Sequence, residues 1–131
     1  MSSFQNFNLN FWNVNTFKQE KFGAAFRDED WEDATCVVTF ATAGAWNNVN
    51  CREADADVTA AHVGANRGLM VAGDSHGFVR LFRNPCVTPR AEFHEEKPAS
   101  KSVAAVRFLF DDLYVVASVG RDATLVKYKV K

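Results

Sequence analysis

The chain has almost no excess of charge and lacks a long hydrophobic run. Its 131 residues include 15 Lys and Arg against 16 Asp and Glu, a net charge of -1. Without a positive field, binding to nucleic acid or to anionic lipid is not expected. No apolar run reaches the roughly 18 residues that a membrane helix needs. The first residues, MSSFQNFNLNFW, also lack the basic and apolar regions of a secretion signal. We therefore expect a protein that is neither secreted nor membrane-bound.

Cysteine and histidine are scarce and widely spaced. The six residues are Cys36, Cys51, Cys86, His62, His76 and His94. An odd number of distant cysteines fits neither a disulfide scaffold nor a zinc knuckle, so a reducing intracellular setting is expected. The histidines lack the close spacing of paired metal ligands. Neither a metal nor a cofactor is predicted.

Residue types that carry catalysis occur without the partners that catalysis needs. Cys86 and His94 would make a nucleophile and base only with a positioned third group and an oxyanion site, and the sequence nearby supplies neither. The stretch GDSHG at 73–77 lacks the Lys and the Ser or Thr of a phosphate cradle, and a hairpin turn explains it better. Asp111 and Asp112 are neighbours in a predicted turn, where side chains usually point apart into water. No catalytic residue is predicted, and the chain is not expected to be an enzyme.

What the sequence does contain is a series of short apolar runs, rich in Val, Phe, Tyr and Thr and separated by Gly, Asn and Asp. None keeps a helical period for three turns, so the pattern predicts an all-β protein of antiparallel meanders. The predicted strands are Phe7–Trp12, Phe17–Phe22, Cys36–Thr42, Val58–Val63, Leu69–Ala72, Phe78–Phe82, Ala91–His94, Val103–Phe110, Leu113–Val119 and Leu125–Val130.

The last two thirds of the chain contain an internal repeat. VTAAHVGANRGLMVAGDSHGFVRLF aligns with VAAVRFLFDDLYVVASVGRDATLVKY, strand with strand and turn with turn. The closing aromatic residues, Phe82 and Tyr128, then lie 46 positions apart. A period of about 40 to 45 residues with four strands is typical of propeller blades. Strands at this spacing also fit other antiparallel folds, so a propeller and a sandwich both stay open at this point.

Several motifs together resemble a known family. GDSHGFVRLFRNPC followed by VAAVRFLFDDLYVVASVGRDATLVKY resembles the closing WD-type repeats of the echinoderm microtubule-associated protein-like family. Upstream, FNLNFWNV and FRDEDWEDATCVVTFATAGAW match the family pattern in order and spacing. The resemblance implies a partial WD-type β-propeller, with about two four-stranded antiparallel blades plus an extra strand, from the carboxyl end of a tandem propeller.

The organisation that we expect is one β-propeller segment over residues 1–131. Residues 1–26 would form a strand pair of a preceding blade, and residues 27–57 an insertion and a strand. Residues 58–95 would form a blade, and residues 96–131 a final incomplete blade whose outer strand comes from elsewhere.

The resemblance also implies a structural hydrogen-bonded turn network in the last blade, at Ser118, Asp122 and Tyr128. Two features depart from the family pattern. The Gly-His pair before the last inner strand is replaced by Pro98 and Ala99, and the closing Trp is replaced by Tyr128. We therefore expect an incomplete network and a less rigid blade.

A second group of residues is predicted to face a partner. Basic residues alternate with aromatic ones in FVRLFRNP and LVKYKVK, and one tryptophan lies in the acidic stretch RDEDWEDATC. The predicted partner-facing residues are Trp31, Arg80, Arg83, Lys127 and Lys129. A basic stripe of this kind suits an acidic surface such as that of tubulin, and it also suits the charged outer face of an exposed strand.

The function predicted from these features is that of a non-catalytic WD-repeat interaction scaffold, cytoplasmic and associated with the cytoskeleton. Tubulin or microtubules are the partner that the resemblance implies. The alternative is a self-assembling structural β module that pairs with copies of itself through open blade edges and has no link to microtubules.

Overall fold

A computed structural model describes residues 2–3, 9–29, 31, 36–37, 39–46, 57–66, 68–98 and 100–130. The chain divides into two compact units, Met1–Phe40 and Ala41–Lys131. The boundary between the two units lies inside the predicted insertion. The organisation of the chain as one propeller segment divided into blades stays a prediction. In the described ranges, no helix has the length and apolar character needed to cross a membrane.

The first unit is built on a small antiparallel sheet. Its strands are β1 (Ser2–Ser3), β2 (Leu9–Asn13) and β3 (Lys18–Glu20), in the order β1-β2-β3. The turn between β2 and β3 forms because the Asn13 side-chain oxygen accepts the backbone N–H groups of the second and third residues after it. The strand predicted over Phe17–Phe22 is shorter than expected, since Phe17 has a left-handed φ of 53° and stands outside the ladder.

Aromatic side chains form the core of the first unit. Phe11 on β2 is 3% exposed. Its ring centroid lies 4.8 Å from that of Phe26, 5.7 Å from that of Trp31 and 6.3 Å from that of Phe40. Phe26 ends a short 3-10 helix, Gly23–Phe26. The rings cover one face of β2, and Trp12 on the opposite face is 47% exposed.

The segment that contains the boundary between the two units differs from prediction. Cys36–Thr42 was expected to be a strand, but its described residues include no strand: Phe40–Thr42 is a 3-10 turn, and α1 (Ala43–Trp46) follows it. The backbone here is hydrogen-bonded to Cys86 instead of to a neighbouring strand. The Ala41 carbonyl accepts the Cys86 N–H and the Gly44 N–H donates to the Cys86 carbonyl, both at 2.6 Å. A Cβ on Gly44 would lie 2.8 Å from that carbonyl oxygen, so this close approach needs glycine.

A four-stranded meander follows. Its strands are β4 (Val58–Val63), β5 (Leu69–Asp74), β6 (Val79–Arg83) and β7 (Phe93–Glu96), all antiparallel in the order β4-β5-β6-β7. This is the strand arrangement of a complete propeller blade. The predicted strands match it to within about two residues, the usual uncertainty of a strand end.

A three-stranded meander ends the chain. Its strands are β8 (Val103–Leu109), β9 (Tyr114–Val119) and β10 (Thr124–Lys129), antiparallel in the order β10-β9-β8. Three residues at the β8–β9 turn have left-handed φ values, Phe110 at 41°, Asp111 at 47° and Asp112 at 63°. They reverse the chain within a short loop and place Leu113, predicted as the start of a strand, in the turn.

The two sheets of the second unit pack against each other through one hydrophobic cluster. Its buried members are Val71, Val79, Val103, Val106, Phe108, Val115, Ala117 and Val119. On β9 every second residue belongs to it, because successive side chains of a strand point to opposite faces. The all-β class and the partial propeller with open sheets are confirmed. Among the residues that the structure describes, one sheet has four strands and two have three, where about two four-stranded blades plus an extra strand were expected.

Candidate interaction site

A buried ionic network closes the β5–β6 hairpin. Asp74, at the end of β5, is 0% exposed. Its Oδ1 accepts the backbone N–H groups of His76 and Phe78, both at 2.9 Å. Its Oδ2 accepts a hydrogen bond of 2.6 Å from Arg80 Nη1, and Arg80 Nε donates to Glu95 Oε2 on β7 at 2.8 Å. One carboxylate therefore shapes the turn and, through Arg80, joins three strands.

Arg80 lies at the centre of this network and does not face a partner. It is 4% exposed, and its guanidinium carbon lies 5.1 Å from the ring centroid of Phe78 and 5.8 Å from that of Phe93. We expected Arg80 to be exposed and to face a partner, and the structure shows that it is buried. The physical reason is that the rings of Phe78 and Phe93 cover this side chain, and two carboxylates offset the cost of burying the charge.

Reasoning from the sequence missed the roles of Asp74 and Glu95. It assigned GDSHG to a hairpin turn, which the structure shows, but gave Asp74 no buried role. An available signal was the position of Asp74 at the head of a tight turn, where an Asp side chain accepts the backbone N–H groups that follow. No local signal reveals that this turn is buried, because the burial comes from the rest of the sheet.

The predicted network residues of the last blade lie in different surroundings. Ser118 on β9 and Tyr128 on β10 are half-buried. The Asp122 side chain is 78% exposed, and its carboxylate lies 3.7 Å from Lys101 Nζ. In the repeat alignment the buried Asp74 corresponds to Gly120 and not to Asp122. The network role of Ser118, Asp122 and Tyr128 therefore stays a prediction.

Two of the predicted partner-facing residues lie on one exposed sheet face. Lys127 and Lys129 alternate along β10 and are both exposed. Val116 on β9 stands opposite both Lys127 and the exposed Arg107 of β8, so the three share a face. Lys127 Nζ lies 4.0 Å from the ring centroid of Tyr114. We call the surface formed by Arg107, Tyr114, Lys127 and Lys129 the cationic face.

The remaining two partner-facing residues lie elsewhere. Arg83 is exposed at the end of β6. Trp31 belongs to the first unit and is half-buried, with its ring stacked on Phe11. Its ring contributes to the core of that unit, and its role towards a partner stays a prediction.

Side chains bridge the two sheets where β4 runs beside β8, an edge strand. At one end, the Thr59 hydroxyl donates to the Val103 carbonyl. In the middle, His62 Nδ1 accepts the Phe108 N–H at 3.1 Å. We call this line of contacts the seam; its third contact involves Asp112.

Asp112 forms the far end of the seam. Its two carboxylate oxygens accept the N–H groups of Ala65 and Asn66, at 2.8 and 3.0 Å. Asp112 is 8% exposed, and a Cβ on Gly64 would lie 2.6 Å from its carboxyl carbon. The expectation that the Asp111 and Asp112 side chains both point into water is therefore wrong for Asp112, because the β4–β5 turn offers it two backbone donors.

An apolar groove opens between β6–β7 and β10. One part, of about 340 Å³, is lined by Val71, Val79, Leu81, His94, Glu96, Val115, Tyr128, Lys129 and Val130. Burial, and to a smaller extent the Glu96 carboxylate, raise the pKa of the Tyr128 hydroxyl, so this wall of the groove is uncharged at neutral pH. The groove has an apolar floor and a rim of mixed charge.

The residue pair considered for nucleophilic catalysis is poorly suited to it. Cys86 is 2% exposed, and burial raises the pKa of its thiol. A thiol with a raised pKa is a weak nucleophile, because the thiolate is the reactive form. His94 is exposed on β7. Within the described residues, no three His, Cys, Asp or Glu side chains form a group that could hold a metal ion.

Comparisons with known proteins give the same architecture. The family model described as the echinoderm microtubule-associated protein second β-propeller matches residues 1–130. The chain is 34% identical over 92% of its length to Echinoderm microtubule-associated protein-like 2 of Rattus norvegicus. It is 30% identical over 95% of its length to the 77 kDa echinoderm microtubule-associated protein of Strongylocentrotus purpuratus.

The chain covers only a small part of each of these relatives. The chain spans 18% of the length of each of the two. Among solved structures, a β-propeller domain from Myceliophteria thermophila matches with a TM-score of 0.49 and 18% identity, over 58% of this chain and 23% of that one. From the family model and the two relatives, we conclude that this chain belongs to the echinoderm microtubule-associated protein family and matches the model of its second β-propeller.

Proposed function

We propose that the chain is a non-catalytic interaction scaffold that binds microtubules and is associated with the cytoskeleton in the cytoplasm. The observation that carries this proposal is the 34% identity, over 92% of the chain, to a relative whose name states that it is microtubule-associated. The burial of Cys86 and the raised pKa of its thiol support a role without nucleophilic catalysis.

The cationic face is the surface that we assign to this binding. It presents Arg107, Lys127 and Lys129 around the Tyr114 ring, on the side of the sheet turned away from the hydrophobic cluster. Three like charges on one face attract an acidic surface, although the whole chain carries a net charge of only -1. An acidic microtubule surface is the partner that this arrangement fits.

The expected affinity is modest and salt-dependent. Each exposed ion pair contributes about 0–1 kcal/mol, so three pairs give a weak contact. Exposed charges are screened over a Debye length of about 8 Å at physiological ionic strength. Binding should therefore weaken steadily as salt is added.

Co-sedimentation with microtubules tests the proposal. We expect the unmodified chain to pellet with microtubules in low salt and the Lys127→Glu, Lys129→Glu protein to pellet several-fold less. The matched control is the Lys18→Glu, Lys21→Glu protein, which makes the same charge change at two exposed residues of the first unit. Equal loss in both double variants would overturn the assignment to the cationic face, and no pelleting of the unmodified chain would overturn microtubule binding.

The mass of the chain in solution distinguishes this function from self-assembly. The edge strand β10 carries Lys127 and Lys129, and lysines on an edge strand disfavour pairing with another copy. We therefore expect a monomer. A discrete oligomer that does not pellet with microtubules would support the structural-module alternative instead.

A further inference from the structure

The middle of the seam depends on one histidine. β8 is an edge strand of its sheet, so its outward N–H groups have no strand beside them in that sheet. The Phe108 N–H is satisfied by His62 Nδ1 on β4, at 3.1 Å. The His62 and Phe108 rings also lie beside each other, with centroids 5.9 Å apart. The His62 side chain here accepts the hydrogen bond that a backbone carbonyl would accept inside a sheet.

This contact requires a particular protonation state. An imidazole nitrogen accepts a hydrogen bond only when it carries no proton, and in the imidazolium form both ring nitrogens are donors. A proton on Nδ1 would turn the contact with the Phe108 N–H into two donors facing each other. The seam contacts at Thr59 and Asp112 use other groups, so this conflict arises at His62 alone.

The surroundings of the ring favour the neutral form. Burial is the main cause that lowers the pKa of His62, and the positive charge of Arg107 on β8 lowers it further. The carboxylate of Asp112, in the turn after β8, acts in the opposite direction. Because the folded state binds the proton less well than an exposed histidine does, acid favours the state in which this contact is open.

We propose that His62 is a proton-sensitive latch between the two sheets of the second unit: the neutral ring holds β8 against β4, and protonation of the ring releases it. The sign follows from linkage. The contribution of His62 is complete above the pKa of an exposed histidine, about 6.5, and it is lost as the pH falls from there through the lower pKa of the folded state. Neutral solution closes the seam, and mild acid loosens it.

Hydrogen exchange of the Phe108 amide tests the latch in the whole chain. We expect its protection, corrected for the intrinsic exchange rate, to fall several-fold between about pH 7.5 and about pH 5, following the titration of the His62 ring observed by NMR. In the Arg107→Gln protein the loss should occur at higher pH, since a charge that opposes protonation has been removed. Protection of Phe108 that stays constant while the His62 ring titrates would overturn the proposal.

The matched control is the His62→Asn protein, in which a side-chain oxygen replaces Nδ1 as acceptor and does not titrate. Its Phe108 protection should be independent of pH over the same range, although every carboxylate of the chain is retained. An equal loss in this protein would assign the acid effect to other groups and overturn the latch. If His62→Asn does not fold, the Arg107→Gln protein decides. The proposal is overturned if the pH at which Phe108 loses protection does not change in this protein, or if it becomes lower.

Discussion

Replacing Asp74 should lower the free energy of unfolding more than a substitution of equal size at the protein surface does. Asp74 is completely buried and receives hydrogen bonds from two backbone N–H groups and from Arg80 Nη1. In Asp74→Ala, the two amides lose their acceptor and the Arg80 guanidinium loses the Asp74 carboxylate while keeping that of Glu95. The damage therefore combines a lost turn with a buried charge that is less well paired.

The magnitude follows from these contacts. Removing one partner of a buried ion pair costs about 3–5 kcal/mol, and we expect a value near 4 kcal/mol for Asp74→Ala. Asp74→Asn keeps an oxygen for the amides of His76 and Phe78, but its NH2 group then faces the Arg80 donor, so the ionic hydrogen bond is lost and the cost should be about 3 kcal/mol. Arg80→Met keeps the apolar stem beside Phe78 and Phe93 and should cost about 3 kcal/mol.

Urea unfolding followed by tryptophan fluorescence and circular dichroism measures these differences in the free energy of unfolding. The Asp74→Asn, Arg80→Met double variant completes a cycle, in which coupling of at least about 1 kcal/mol is expected for groups in direct contact. A small domain has only about 5–15 kcal/mol of stability, so the Asn variant keeps the test decisive if the Ala variant does not fold. Costs below about 0.5 kcal/mol for both Asp74 variants, typical of surface changes, would refute the buried-network reasoning.

Two further predictions concern packing and thiol exposure. A Cβ on Gly73 would overlap with Cγ1 of Val103, which is 0% exposed, so Gly73→Ala should lose about 2 kcal/mol of unfolding free energy, and Val103→Ala, which removes that Cγ1, should restore part of it. Gly68→Ala, with no heavy atom within 4 Å, is the control and should change stability by less than about 1 kcal/mol; equal losses at both glycines in urea unfolding would contradict the packing argument. In a Cys36→Ser, Cys51→Ser protein, the remaining Cys86 should react with a disulfide reagent only as fast as the protein opens, because it is buried and its thiol has a raised pKa. A rate equal to that of an unfolded peptide thiol would contradict the burial of Cys86.

The strands and turns of the second unit were largely predictable, because they depend on local patterns. Val58–Val63 was predicted with the bounds that the structure shows, and β9 differs by one residue at its start. The prediction over Cys36–Thr42 was wrong because that segment bonds to the loop containing Cys86, far away in the sequence. A local pattern indicates that a segment can be a strand, but it does not show whether another strand will lie beside it.

The interaction site was less predictable than the fold. Alternation along β10 correctly placed Lys127 and Lys129 on an exposed face, since neighbouring side chains of a strand point to opposite sides. The same reasoning failed for Arg80, whose side chain is covered by the Phe78 and Phe93 rings and paired with carboxylates on the neighbouring strands. The bridging role of His62 had no signal in the sequence, because its partner is a backbone N–H 46 positions later.

The sequence by itself determined the β class, the hairpins of the last two thirds and the family, since alternation, turn residues and motif order are all properties of neighbouring residues. Only the tertiary structure decided which polar side chains are buried. Asp111 and Asp112 are neighbours in one turn, yet Asp111 is exposed and Asp112 is only 8% exposed. The reason is that burial depends on which sheet faces and edges come to be covered, and that is set by contacts between residues far apart in the chain.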